Sequence, residues 1–345
     1  PAAHHYIIHA YDNPTFADRA LEVARNYGNV APEVPHALHM PTHIFTRLGH
    51  WDDSIDMNSR SAAAAEASAH GEYVSAHMLH AQDYLVYAHL QKAEEQQARA
   101  IVEQVMELQG PWGENARGAS AYALAAMPAR FALERRDWAA AATIEPRLPA
   151  SFPWSPAFAQ YEALSWFGRG LGAARADLQD IAAEAVAELN HLREVLQEQG
   201  QGYWAKQVEI QARSIEAWAA YAGGETELGL ERMQAAAELE NSTDKHPITP
   251  GEVLPANELY GDMLLEAGRA EDAIAAYRAS LARSPNRFNS LYGVGEAASS
   301  LGDDATATAY YSHLAEMTAG SGADWPRLQA ARAFLAAHEG GSAGP

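Results

Sequence analysis

Two stretches near the C-terminal end of the chain are the same object written twice. Residues 259–285 read LYGDMLLEAGRAEDAIAAYRASLARSP and residues 293–319 read GVGEAASSLGDDATATAYYSHLAEMTA. Gly261 and Gly295 are 34 apart, as are Ala273 and Ala307, and Tyr277 and Tyr311. A fixed period of this length restricts the fold more than any other feature of the chain. One unit is too short to bury its own apolar face, so units must stack and share a core. Within a unit, small residues let two antiparallel helices approach, and the aromatic four residues after the alanine fills the gap to the next pair.

The pattern resembles the tetratricopeptide (TPR) repeat, with Pro285 placed after the second helix. Weaker copies are LGHWDDSIDMNSRSAA at 48–63, ERRDWAAAATIE at 134–145 and AGGETELGLERMQAAAELE at 222–240. Their turns, near Gly49, Lys92, Arg136, Gly224 and Gly268, are spaced by about 44 residues or a multiple of it, so the middle units carry longer helices or loops. The expected fold is all-α, an α-α superhelix or TPR-like solenoid of antiparallel helix pairs. The alternative is a generic alanine-rich bundle.

As one continuous solenoid, the chain divides into His-rich repeats at 1–110, degenerate long repeats at 111–250, two TPR-like repeats at 251–320, and a terminal helix and flexible tail at 321–345. Expected helices are Pro1–Asp12, Thr15–Tyr27, Pro35–Leu48, Asp52–His70, Tyr73–Leu90 and Glu94–Leu108. Further helix pairs follow at about 119–145, 156–199, 203–240, 256–283 and 287–318, with a last helix at 325–338. The stretch LPASFPWSP at 148–156 reads as a loop and hinge candidate.

The histidines are placed unevenly. Eleven of the 15 lie in the first 89 residues, where even scattering would put about four. Their spacing is helical. His5, His9 and Asp12 fall at i, i+4 and i+7 on the first helix; His36, His39 and His43 at i, i+3 and i+7 on the third. His77, His80 and Asp83 or Tyr84 are related in the same way on the fifth. In a helix-pair solenoid the first, third and fifth helices lie side by side along one concave wall. Three imidazole stripes can therefore converge on one ion.

Imidazole is a transition-metal ligand, and two at i, i+4 can share an ion. A nitrogen-rich, sulfur-free set suits Zn, Cu, Fe or Ni. The expected ligands are His5, His9, His39, His43 and His80. His36, His77, Asp12, Asp83 and Tyr84 are possible additions, and a carboxylate can instead orient a histidine. Pro41, between His39 and His43, removes a helical hydrogen bond and can re-aim both rings. The alternative is a buried polar ladder of imidazoles bonded to Asp12, Tyr6, Tyr84 and Tyr87. His4, His50, His70 and His89 read as surface or hydrogen-bonded residues.

The segments AHHYIIHAYDNPT, PHALHMPTHIFTRLGHWDDSI and HMLHAQDYLVYAHLQ resemble a group of bacterial TPR-containing proteins. That group shares an HYxIHAxD, an ALHMPxHIF and a DYLVYA segment. The resemblance is close over roughly residues 3–90. It implies the repeat fold and a shared pocket, with His5, His9, Asp12, His39 and His43 as signature positions. It also implies additional helices before Pro1, so that this chain is a fragment or processed form.

Other functions are disfavoured. The formal net charge of −21 opposes a nucleic-acid backbone or an anionic membrane as partner. There is no cysteine, hence no thiolate ligand, disulfide or cysteine nucleophile. No apolar run reaches the ~20 residues of a membrane helix. Gly-rich phosphate loops, GxSxG and HExxH are absent. Glu33 and Glu66 are the acidic residues near the histidines to weigh as general bases. Arg47 and Arg60 can hold an anion or pair with Asp52, Asp53 or Asp56. The sequence thus leaves three readings: a metalloenzyme of unknown reaction, a metal-binding protein without catalysis, and an adaptor binding protein or peptide in the groove.

Overall fold

The structure, a computed structural model, describes residues 2–28, 30–113 and 117–339. Eighteen α-helices lie in these residues: α1 Ala2–Tyr11, α2 Leu21–Tyr27, α3 Pro35–His39, α4 Pro41–Leu48, α5 Trp51–Ala69 and α6 Ala76–Gln91. They continue with α7 Glu95–Met106, α8 Arg117–Glu134, α9 Trp138–Ala142, α10 Ala159–Arg175, α11 Gln179–Glu198 and α12 Gly202–Ala222. The last are α13 Thr226–Asn241, α14 Ala256–Glu266, α15 Ala270–Arg283, α16 Phe288–Ser300, α17 Asp304–Met317 and α18 Pro326–Glu339. An isolated bridge, Val74 to Trp112, is the β-type pairing among the described residues.

From α3 on, each helix packs on the next, α2 packs on α1 and α4, and the even-numbered helices from α4 to α18 also touch the next even-numbered one. This is the arrangement of an α-α superhelix: one wall is built from alternate helices, and their partners lie behind it. The wall begins with α1 against α4, and α3 and α4 both reach α6. The first, third and fifth predicted helices are therefore neighbours.

Local differences from the expected helices have local causes. The second predicted helix starts as a 3₁₀ turn, Ala17–Ala20, because Asn13 and Pro14 hold the entry in a turn. The third is divided at Met40, which keeps helical dihedrals (φ −50°, ψ −43°) in front of Pro41. Pro41 has no N–H to donate, the His43 N–H goes to the Met40 carbonyl at 3.3 Å, and the Thr42 hydroxyl donates to the His39 carbonyl at 2.7 Å. The expected pairs at 156–199 and 203–240 are present as α10 with α11 and α12 with α13. Residues 114–116 and the tail after Glu339 lie outside the described residues.

The repeat signature has a direct steric meaning. A Cβ on Gly261 would lie 2.7 Å from the Tyr277 ring, and one on Gly295 would lie 2.5 Å from the Tyr311 ring. Each tyrosine thus lies against the glycine of its own unit. Tyr277 is fully buried and its hydroxyl donates to Asp262 at 2.8 Å, so it has no room to withdraw. Alanine for glycine in a helix normally gains ~1 kcal/mol; overpacking a fixed ring costs ~1–3 kcal/mol. Gly261→Ala is therefore expected to be net destabilising, by up to ~2 kcal/mol in urea unfolding, the reverse of the propensity rule.

The array is not open-ended. Trp51 Nε1 donates to the Asn286 carbonyl at 2.8 Å, and Asn286 Nδ2 to the Gly49 carbonyl at 3.2 Å. The Phe288 N–H is held by Gln91 Oε1 (2.8 Å), Ser321 Oγ donates to the Ala93 carbonyl (2.6 Å), and Trp325 Nε1 donates to Glu95 (2.7 Å). The last hairpins thus fasten onto the turns of the early ones. At the junction Arg287 is completely buried between Glu134 (2.8 Å) and Glu258 (2.9 Å), and it donates to the Tyr87 hydroxyl (2.8 Å).

The inner wall is also occupied. The segment joining α13 to α14, residues 242–255, crosses it as a series of turns and bends. Tyr84 donates to the Ile248 carbonyl (3.1 Å), Tyr122 to that of Gly251 (3.2 Å) and Arg130 to that of Glu252 (2.9 Å). Lys245 reaches from this segment to the end of α1.

Candidate metal centre

His39, His43 and His80 offer ligand nitrogens that all lie within 4.8 Å of one another, and among the described residues this is the one group of three or more that does. Two come from the α3–α4 stripe and one from α6. His39 and His43 are buried, 2% and 3% exposed, and His80 is half-buried. The His39 and His43 Nε2 atoms face each other at 3.2 Å. Two nitrogens bound tetrahedrally to one zinc-sized ion at ~2.05 Å lie about 3.3 Å apart, so the pair is already at ligating separation.

The hydrogen bonds fix which nitrogens are free. His39 Nδ1 meets Asn58 Oδ1 at 2.8 Å, and the same amide donates its Nδ2 to the Ser54 carbonyl at 3.0 Å. Asn58 Oδ1 therefore accepts, His39 Nδ1 carries the proton, and Nε2 keeps its lone pair. His43 Nδ1 meets Asp12 Oδ2 at 3.3 Å and the Tyr84 oxygen at 3.2 Å. A carboxylate only accepts, and the Tyr84 proton goes to Ile248, so His43 Nδ1 donates and its Nε2 is also a lone pair. Facing lone pairs at 3.2 Å repel unless a cation or proton sits between them.

A proton is disfavoured there. Burial, together with repulsion from His80 and His43, holds His39 well below the usual imidazole range. Burial also lowers His43, although Asp12 opposes it, and brings His80 down to about 3. Neutral imidazoles with convergent lone pairs, two of them braced through the other nitrogen by an amide or a carboxylate, are a donor set that can hold a metal ion. The residues fit one.

Asp12 is the electrostatic hub of the site. Its side chain is 1% exposed and meets Lys245 at 2.7 Å, His43 at 3.3 Å and Arg47 at 3.3 Å. Burial alone would raise this carboxyl, but Lys245, His43 and Arg47 overcome it and hold Asp12 far below the carboxylate range. Lys245 is itself brought down to about 8 by burial, with Asp12 pulling the other way.

The remaining predicted ligands divide. His9 lies 5.5 Å, ring to ring, from His43, and His5 lies 4.8 Å from His9. His36 is 5.1 Å from His5, and His77 is 5.8 Å from His36. These four run outward from the buried trio toward the surface and lie outside the 4.8 Å group. Asp12 and Tyr84 stand behind His43. Asp83 turns elsewhere. Three residues after His80, it is carried round the helix to face Arg130 at 3.9 Å, and burial raises it to about 7. Glu33 and Glu66 are exposed. Arg60 pairs with Asp56 at 3.6 Å, while Arg47 is committed to Asp12. His89 bonds Glu94 (2.7 Å) and His4 stacks on Tyr27.

No protein-family model matches this chain, and no curated protein matches it. Among solved structures it is similar to the TPR domain of P58(IPK), 13% identical over 94% of each chain with a TM-score of 0.31. It is also similar to the APC/C hetero-tetramer Cut9–Hcn1, 12% identical over 93% of this chain and 58% of that one, with a TM-score of 0.32. A third is yeast Tom70, 10% identical over 98% and 91%, with a TM-score of 0.35. These similarities are distant, and the architecture rests on the chain's own helix pairs.

Asn58 and Lys245 were not among the residues singled out from sequence. Asn58 has one faint signal, an amide on the buried face of an alanine-rich helix. Lys245 has none, because it arrives from 233 residues beyond Asp12.

Proposed function

We propose that this protein binds a transition-metal ion, held by His39, His43 and His80 at the start of the superhelix. Zinc, copper and nickel are the class that an all-imidazole set prefers. The observation that carries the reading is the 3.2 Å approach of two Nε2 lone pairs whose Nδ1 protons are committed to Asn58 and Asp12. Three protein ligands leave a tetrahedral ion one further position, which water or a substrate can take. Asp12 and Asn58 hold the rings, Lys245 and Arg47 hold Asp12, and the segment at 242–255 covers the site from the groove side. At such an ion the bound water would be acidified and any carbonyl or phosphoryl oxygen polarised.

The deciding experiment is metal retention against a competing chelator. Wild-type protein is expected to keep about one equivalent of Zn²⁺ per chain, and His39→Ala with His43→Ala to keep none. An unchanged result in the double variant would remove the reading. Retention should also persist at pH 5. The buried imidazoles, with His80 lowered to about 3, stay neutral where an ordinary one near 6.5 takes a proton. A zinc occupancy that instead falls with a midpoint near 6.5 would point to exposed histidines as the ligands.

A second reading is a protein-interaction scaffold, the common use of helix-pair arrays. It is favoured by the way Tyr84, Tyr122 and Arg130 hold backbone carbonyls of the 242–255 segment on the inner wall. Donors that read carbonyls rather than side chains suit any extended peptide. Peptide binding gained when residues 243–253 are replaced by a glycine–serine linker would support this reading over the first.

A further inference from the structure

Between the 242–255 segment and helices α8, α10 and α12 the groove keeps a cavity of about 50 Å³, and none of the three buried histidines lines it. Space of that size holds about four waters, or a head group of about four non-hydrogen atoms. Tyr122, Phe167, Tyr203 and Trp204 supply aromatic walls. The Tyr203 and Trp204 rings are 5.1 Å apart and inclined at 78°, and the His246 ring lies 4.8 Å from Trp204. Glu240 and Glu252 add two carboxyl groups, and Gln211 lines the same space with its Oε1 buried and without a donor. Glu240 is buried, and both its oxygens share a single N–H, that of Ala256, at 3.0 Å. Burial and the Glu252 charge push Glu240 up to about 8, against the Ala256 N–H, Arg283 and Arg287. The cations at hand are committed elsewhere. Lys245 donates to Asp12 and to the Thr249 and His246 carbonyls, and Arg283, 3.8 Å from Glu252, donates to the Thr243 carbonyl at 2.9 Å. His246 accepts the Ile248 N–H at Nδ1, and burial keeps the ring neutral.

We propose that this cavity binds a small organic cation, a primary alkylammonium, with its charge toward Glu240 and Glu252 and its carbons against the aromatic rings. The inference does not rest on the metal reading. Aromatic faces attract a cation through their quadrupole, and two carboxyl groups with an orphaned amide oxygen accept its N–H bonds. An anion would be repelled by the same groups, and a neutral molecule of the same shape would leave their charge unmatched. A bound ammonium supplies the counter-charge that the carboxyl pair lacks, and displaces the proton that Glu240 holds at neutral pH. The formal net charge of −21 draws cations toward the chain. Tyr203 is exposed and His246 half-buried, which places the entrance on their side.

The test is calorimetric titration of the whole chain with n-propylammonium at neutral pH, with a metal chelator present so that the result is independent of any ion at the histidines. A Kd of ~1 mM is expected, since so few atoms cannot bind much more tightly. The neutral 1-propanol and the anionic propionate should each bind at least ~10-fold more weakly. Glu240→Gln keeps an oxygen for the Ala256 N–H but removes the charge, and should weaken propylammonium ~10-fold; Trp204→Leu should weaken it ~5-fold. Thermal melting followed by circular dichroism shows whether each variant is folded. Glu252→Gln, at the less buried carboxyl, repeats the test without touching the Ala256 N–H. Propanol or propionate binding as tightly as propylammonium overturns the proposal. So does an unchanged affinity in the folded carboxyl variants, or no propylammonium binding at all to wild type.

Discussion

Arg287→Met is expected to lower the unfolding free energy by about 3–5 kcal/mol, which urea denaturation followed by circular dichroism would measure. The guanidinium is fully buried, with Glu134 at 2.8 Å, Glu258 at 2.9 Å and the Tyr87 hydroxyl at 2.8 Å. Removing it strands two carboxylates away from water. Arg136, 2.9 Å from Glu258, relieves only one of them. The same pairing gives the protein an acid limit. Burial alone would raise Glu258, but Arg287 and Arg136 bring it down to about 2. A carboxyl depressed in the folded state supplies stability above its unfolded value, near 4.3, and loses it as pH falls from there toward about 2. Wild type should therefore lose stability over that window, and the variant should lose less, having little of this contribution left. A loss under ~1 kcal/mol in Arg287→Met would mean that the cluster is hydrated and not sealed.

Asp12→Asn is expected to weaken Zn²⁺ binding at the buried histidines by about 10–100-fold, read by competition with a chelating dye. The asparagine keeps an oxygen near His43 Nδ1 but removes the charge that fixes the proton there. It also strips the counter-ion from Lys245 and Arg47. Lys245, already lowered to about 8 by burial, loses the attraction that opposed the shift and moves lower still. Above its folded value this lysine is neutral, so the variant's own pH dependence should appear nearer neutrality than in wild type. Unchanged zinc affinity would show that His43 needs no carboxylate, and would return Asp12 to a purely structural role.

Much of this arrangement can be read from the amino-acid sequence because local rules produce it. The 34-residue period fixes Gly261 under Tyr277 and Gly295 under Tyr311, since a small residue and a ring at constant spacing have one way to pack. Helical spacing places His5 and His9 on one stripe, His36, His39 and His43 on a second, and His77 and His80 on a third. The solenoid rule brings those stripes together. What stays hidden is set by distance along the chain or by angle around a helix. Which of the seven rings come within ligating reach of one another depends on displacements of a few ångströms along parallel helices, which spacing alone does not determine. Asp83 and Tyr84 are adjacent, yet one faces Arg130 and the other His43. Lys245 comes to Asp12 on a connecting segment with no periodicity of its own.

The clasp between the last hairpins and the early turns changes how the chain must gain and lose its structure. An array whose units touch only their neighbours can fray from either end, one hairpin at a time. Here Trp51 waits for Asn286, Gln91 for Phe288 and Glu95 for Trp325, pairs some two hundred residues apart. Such high contact order makes folding slow relative to an open array of the same length, because loop closure precedes the reward. It also ties the histidine-bearing helices to hairpins some two hundred residues later, so melting is expected as a single concerted event in which the histidine cluster is lost together with the clasp.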